Sequence, residues 1–201
     1  LLSSPRIDNQ IHCVLAAQAL LEESSKNTKI CLFFDSEETG SKTMEGAASS
    51  FIEYLLERIS IGLDQSREDQ LRARDSSLIA SADVAHAWNP NFAEKFDPAY
   101  KCMINKGPVI KIDANNHYAT TGQTEAIFKN IAQKTNIPLQ KFIIHSDLPC
   151  GSTVGPIVSS KSMIQCIDLG IAVWAMHSIC ETAGIQDIYY MQKLFNEFLQ
   201  Y

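Results

Sequence analysis

No run of apolar residues in this 201-residue chain approaches the roughly 18 needed to cross a bilayer, and no signal peptide is visible. Positive charge is also scarce: 17 Lys and Arg face 23 Asp and Glu, for a net charge of −6 and a pI near 5.3. That balance excludes general nucleic-acid or membrane-surface binding, so an acidic ligand would need a local basic anchor. The six cysteines, at positions 13, 31, 102, 150, 166 and 180, form no CxxC pair. Scattered through mostly apolar stretches, they fit buried free thiols in a reducing, cytoplasmic setting better than a disulfide framework or a Cys-ligated zinc. There is no internal repeat and no clear linker. An initiator Met is missing too, and the opening Leu1-Leu2-Ser3-Ser4-Pro5-Arg6 is neither a targeting segment nor a tag. The chain therefore reads as a piece of a longer polypeptide.

With 45% hydrophobic and 20% charged residues, the chain can bury a substantial core as one globular unit over 1–201. Asp8 or Asn9 can cap a helix over Ile11 to Ser24. The apolar run Ile30 to Phe34 reads as a buried strand. Gly46 to Ile59 has helical periodicity, and Asp64 to Asp75 is a solvated helix or loop. Strands are expected at Leu78 to Val84, Pro108 to Ile112, Lys141 to Ile144 and within Ile164 to Ala175. Helices are expected at Thr124 to Thr135 and Asp187 to Leu199, and a Ser, Gly and Pro loop runs from His145 to Pro156. Strands alternating with helices predict an α/β fold, a mixed sheet sandwiched by helices.

Glu37-Glu38 carries the most chemistry. Adjacent carboxylates repel, and burying them is costly without a compensating cation. At the mouth of a strand the pair suits a metal site, one carboxylate binding the ion and its neighbour handling a proton. Asp8, Asp83 and His177 also lie at predicted element boundaries, and in open α/β sheets ligand sites gather beyond the carboxyl ends of strands. Three carboxylates and an imidazole suit Zn²⁺, Mn²⁺ or Co²⁺. Taken singly each has an ordinary alternative: a helix cap for Asp8, a strand end for Asp83, a hydrogen-bonded core histidine for His177, surface acids for Glu37-Glu38.

Six motifs occur in one order: Ser4-Pro5-Arg6-Ile7-Asp8-Asn9, Phe34-Asp35-Ser36-Glu37-Glu38-Thr39-Gly40-Ser41, Ser81-Ala82-Asp83-Val84-Ala85-His86-Ala87-Trp88-Asn89-Pro90, Asn105-Lys106-Gly107-Pro108-Val109-Ile110-Lys111, Ser146 to Pro156, and Ala175-Met176-His177-Ser178-Ile179. Together they resemble the C-terminal part of the catalytic domain of the M18 metalloaminopeptidases, the aspartyl aminopeptidases, over essentially all 201 residues. The resemblance implies a zinc-exopeptidase-like fold and hydrolysis of N-terminal Asp or Glu from peptides at a bridged two-metal site, with zinc expected and Mn or Co as alternatives. It implies that Asp8 bridges the two ions, Glu38 and His177 ligate one, Asp83 ligates the other, and Glu37 is the general base. Lys111 matches the family's basic residue for the substrate's acidic side chain, although a strand lysine snorkelling to solvent is the ordinary reading. Tyr118 matches an active-site tyrosine. His86 is expected to pack beside the site, and the Gly151 to Gly155 loop to offer backbone N–H groups or only a tight turn.

Members of this family carry a further His ligand in an HxD motif upstream of the segment around Asp8, together with an inserted second domain. Neither is in this sequence, and His145-Ser146-Asp147 sits in the wrong motif to replace the first. The expectation is tight binding of at most one metal and little or no activity for this chain alone. Homo-oligomers are expected of the full-length protein. A degenerate homologue or fragment with a structural or assembly role is the alternative.

Overall fold

The computed structural model describes residues 1–22, 25–145, 147–148 and 150–201. The residues at the end of the first expected helix (Ser24) and in the loop before Gly151 (Ser146, Pro149) lie outside the described residues. Among the described residues eight strands and six α-helices follow in order: β1 (Leu2–Ser4), α1 (Ile7–Glu22), α2 (Phe51–Gly62), α3 (Arg67–Asp75), β2 (Leu78–Ala82), β3 (Ala85–His86), β4 (Val109–Lys111), α4 (Gly122–Lys134), β5 (Gln140–Phe142), α5 (Val154–Ser162), β6 (Gln165–Gly170), β7 (Ala172–Trp174), β8 (Glu181–Ala183) and α6 (Ile185–Gln200). No described helix is long and apolar enough to cross a membrane.

The strands form two mixed four-stranded sheets, ordered β2-β6-β4-β5 and β1-β8-β7-β3. They are joined along one parallel seam. β2 pairs with β6 and β3 with β7, and the amides of Asp83, Ala85 and Ala87 donate in turn to the carbonyls of Leu169, Ile171 and Val173. Side chains on the 165–174 side of this seam alternate between faces as a strand demands. Ile167, Leu169, Ile171 and Val173 enter the main core with Phe128, Met191 and Leu194, beneath α1, α4 and α6. Ala172 points to the opposite face, where Val109, Tyr118 and Phe142 form a second cluster. A third cluster joins α2 and α5 through Ile52 and Val158. The expected α/β fold with both faces covered is thus present, built from two sheets and not one.

Local sequence explains two of the helix starts. Thr121 accepts from the Thr124 amide while the Thr124 hydroxyl accepts from the Thr121 amide, and Ser66 and Asp69 do the same for α3. The regular part of α1 begins after Asp8 and Asn9, whose backbone angles are not helical.

Three expectations are corrected. Ile30 to Phe34 is not a strand: among the described residues no strand pairs with it, and it runs as coil along a cavity of about 510 Å³ whose other wall includes Ile79 and Ala80 of the edge strand β2. Aromatic, apolar character suits a strand, but only a hydrogen-bonded neighbour makes one. The helix expected from Gly46 begins at Phe51, because the amides of Gly46, Ala48 and Ser49 bond in turns to the carbonyls of Thr43, Ser41 and Gly46. The loop expected as far as Pro156 gives way at Val154 to α5. Gly155 packs against the Asp168 carboxylate so closely that a Cβ would collide with it.

Candidate metal centre

Three chain turns converge at one end of the β1-β8-β7 layer. After β1, Arg6 takes a left-handed backbone (φ +59°) and the chain presents Asp8. The pair Glu37-Glu38 opens a short 3-10 turn, Glu37–Thr39. Ser36 enters that turn left-handed (φ +60°), and the Ser41 amide closes the loop on the Ser36 carbonyl at 2.8 Å. After β7, Ala175 and His177 are both left-handed (φ +54° and +67°), a conformation that costs a residue with a Cβ on the order of 1–3 kcal/mol.

These turns bring His177 Nε2 to 2.9 Å from Asp8 Oδ2 and 3.2 Å from Glu38 Oε2. One ligand atom from each of the three side chains lies within 4.8 Å of the others. Asp8 is the buried corner, its side chain 5% exposed, whereas Glu38 and His177 are 58% and 60% exposed. The cluster is therefore anchored inside and open outside.

Its electrostatics are those of crowded, partly buried carboxylates. Burial, then the charges of Asp83 and Glu38, push Asp8 up from 3.8 to about 7. Burial and the same two neighbours, Asp83 and Glu38, raise Glu37. Burial disfavours the charged imidazole of His177, but Glu38 and Asp8 outweigh it and raise its pKa. Asp83 is the exception. Burial works against its carboxylate, yet the Lys111 ammonium, 2.8 Å away and 3% exposed, holds it below the usual range.

The residues picked out in the sequence thus fall into tiers. Asp8, Glu38 and His177 meet directly, and Glu37 and Asp83 sit within their field. Lys111 ends β4 with its charge on Asp83, so it is not a lysine reaching for solvent. Tyr118 is 8% exposed and lies behind Lys111, whose ammonium is 5.5 Å from the ring centroid, and its hydroxyl accepts from the Cys150 thiol at 3.3 Å. His86 is exposed and tilts against Phe142, as expected of a packing residue. His145 pairs with Asp147. A second triplet, Asp113, His117 and Cys150, also gathers within 4.8 Å. There Asp113 already accepts from the amides of Asn115 and His117 and from the His117 ring, the pattern of a self-satisfied turn.

Other residues that shape the centre were not apparent in the sequence. Glu181, 1% exposed, accepts from the Asp8 amide at 2.8 Å and the His177 amide at 2.6 Å. His12, 2% exposed, accepts at Nε2 from the Ile171 amide, which fixes the ring proton on Nδ1, where it donates to Asn9; Asn9 donates in turn to the Ala82 carbonyl. Asp168, fully buried, ties the Thr153 hydroxyl to the Ala119 amide and so holds the start of α5 against the Tyr118 loop. None of these has a sequence signal beyond being polar among apolar neighbours.

A family model for aminopeptidase I zinc metalloproteases (M18) matches residues 1–199. The chain belongs to the M18 family. It is 44% identical over 198 residues to a probable M18 family aminopeptidase 2 of Clostridium novyi, covering 98% of this chain and 46% of that protein. It is 41% identical over 193 residues to a probable M18 family aminopeptidase 2 of Mycobacterium tuberculosis, covering 94% and 45%. Among solved structures, the cryo-EM structure of the Ape4 and Nbr1 complex matches with a TM-score of 0.90 at 36% identity, covering 98% of this chain and 39% of that one. The crystal structure of yeast aminopeptidase 1 matches with a TM-score of 0.83 at 30% identity, covering 98% and 45%. This M18 chain therefore spans less than half the length of these relatives.

Proposed function

We propose that this chain supplies metal-binding and proton-transferring residues of a zinc aminopeptidase that removes N-terminal Asp or Glu from peptides. The observation that carries this is the meeting of Asp8, Glu38 and His177 within 4.8 Å, at three of the motifs shared with the family. Two oxygens and one imidazole nitrogen are a fitting donor set for Zn²⁺, with Mn²⁺ or Co²⁺ as alternatives. The raised pKa of Asp8 marks a place where a cation relieves carboxylate repulsion. A bound ion would polarise the scissile carbonyl as a Lewis acid.

The remaining chemistry falls to the chain. Glu37, half-buried beside Glu38, is raised toward the range in which a carboxylate can accept a proton and return it to the leaving amine. By the family resemblance Asp8 would help hold a second ion as well, with Asp83 as its other ligand. Among the described residues Asp83 joins no group of three ligand side chains, and its carboxylate is occupied by Lys111. The chain alone should accordingly take one ion tightly and turn over little substrate. Lys111 is a buried cation beside the centre in an acidic chain, which supports selection of an acidic side chain. Tyr118 would support Lys111 from behind. The S. cerevisiae mApe1 structure is a dodecamer, and a homo-oligomer is proposed for the full-length protein here as well.

Isothermal titration of the chain should show one tight Zn²⁺ site, lost in Glu38→Gln and in His177→Ala. The zinc-loaded chain should bind aspartate hydroxamate in preference to leucine hydroxamate, and Lys111→Met should abolish the preference. Two tight sites with turnover of an aspartyl anilide would overturn the one-ion reading. Uptake of no Zn²⁺ at all would favour a structural or assembly role.

A further inference from the structure

We infer that Glu181 is a positioning residue for the centre: its single buried carboxylate sets the backbones that carry Asp8 and His177, and so the spacing of two ligands from distant segments of the chain. This rests on the metal reading of Asp8, Glu38 and His177.

Glu181 opens β8, where it is paired in register with Ser4 of β1. β1 leads into the turn to Asp8, and the turn from β7 through His177 leads into Glu181 itself. Each carboxylate oxygen has its own task. Oε2 accepts from the Asp8 amide at 2.8 Å, and Oε1 accepts from the His177 amide at 2.6 Å. Both distances are those of charge-assisted hydrogen bonds, which are about twice as strong as neutral ones. At 1% exposure the carboxylate is shielded from bulk solvent, so these two amides are its partners.

The His177 bond also addresses a local cost. Ala175 and His177 are left-handed without being glycine, so the turn would relax to other conformations unless held. The Ser178 amide closes the turn on the Ala175 carbonyl at 3.0 Å, and Glu181 holds the next exit. A carboxylate suits this role where an amide does not. Both partners are N–H donors, and Gln offers one oxygen and one NH₂, so the NH₂ would face a donor.

The test uses Glu181→Gln, of equal shape, and Glu181→Ala in the whole chain. Readouts are Zn²⁺ affinity by competition with a chelating dye, the Co²⁺ d–d absorption spectrum, the melting midpoint in EDTA, and amide exchange at Asp8 and His177. We expect both amides to be protected in the parent. In Glu181→Gln we expect one of them to exchange faster, Zn²⁺ affinity to fall about 10- to 100-fold, and the Co²⁺ spectrum to change. Glu181→Ala should lose at least as much affinity. Zinc affinity within about twofold of the parent, whether or not the melting midpoint falls, would overturn the positioning role while leaving the metal centre intact. A parent chain that binds no Zn²⁺, with both amides protected, would defeat the metal reading and the positioning role with it.

Discussion

Replacing Asp8 with Asn should stabilise the metal-free chain at neutral to alkaline pH, even though Asp8 is a buried, hydrogen-bonded residue. Burial, Asp83 and Glu38 together hold its pKa near 7, against 3.8 when free. Above pH 3.8 the unfolded chain releases this proton while the folded chain retains it until about pH 7. The folded state therefore binds more protons across that window, and stability falls as pH rises through it. Each pKa unit corresponds to about 1.4 kcal/mol, so the full window amounts to about 4 kcal/mol at pH 8. Ionised Asp8 regains part of this through its ion pair with His177 at 2.9 Å, so about 2–4 kcal/mol is expected. For a chain of this size that is a difference of roughly 5–15 °C in melting midpoint. His12 works in the opposite direction: burial lowers it to about 4, so it adds stability that is lost as pH falls below 6.5. The measurement is therefore the difference between Asp8→Asn and the parent, taken by thermal melts in EDTA from pH 4.5 to 8. That difference should be small near pH 4.5 and grow in favour of the substituted chain by pH 8. Zn²⁺ bound at the proposed site should reverse the order at a thousandfold excess over Kd, where it would stabilise the parent by about 4.1 kcal/mol. An Asp8→Asn chain that melts below the parent at pH 8 in EDTA would refute the reasoning, because it would show that Asp8 is not destabilised by its neighbours.

Lys111→Met removes the cation from a pair whose side chains are 3% and 27% exposed and should cost about 3 kcal/mol in EDTA, measured by urea unfolding; Asp83's exposure places it at the low end for a broken buried pair. The same substitution should flatten stability below pH 4, since the depressed pKa of Asp83 gives a contribution that is lost as pH falls through it. Gly155→Ala drives a Cβ into the Asp168 carboxylate and should cost about 1–3 kcal/mol in the same assay. Asp187→Ala leaves the Asn105 and Gly107 amides without their acceptor and should cost about 3 kcal/mol, with no change in Zn²⁺ affinity, since these bonds serve the start of α6 and not the metal centre.

What the sequence disclosed depended on whether the physics was carried by side-chain type or by partnership. Apolar spacing is a side-chain property, so α4, β6 and α6 lie close to where periodicity put them. Residue chemistry is another, and three of the residues it singled out, Asp8, Glu38 and His177, do come within 4.8 Å of one another. Ile30 to Phe34 shows where this stops. Its composition is as strand-like as that of β6, but β6 runs between β2 and β4 while Ile30 to Phe34 faces a cavity. A strand is a relation between two backbones, and one backbone's side chains cannot report whether the other is there. Glu181 was silent for the same reason, because the groups it binds are amide N–H groups, which nearly every residue carries. His12 illustrates it again: a histidine on an apolar helix face is a common sight, and only the Ile171 amide at 3.2 Å reveals that its tautomer is set and its proton committed to Asn9. The candidate ligands are therefore written in residue types, whereas the backbones that carry two of them are held by a buried acceptor that is not. It follows that substitutions at Glu181 or His12 should disturb the centre although neither position carries a ligand.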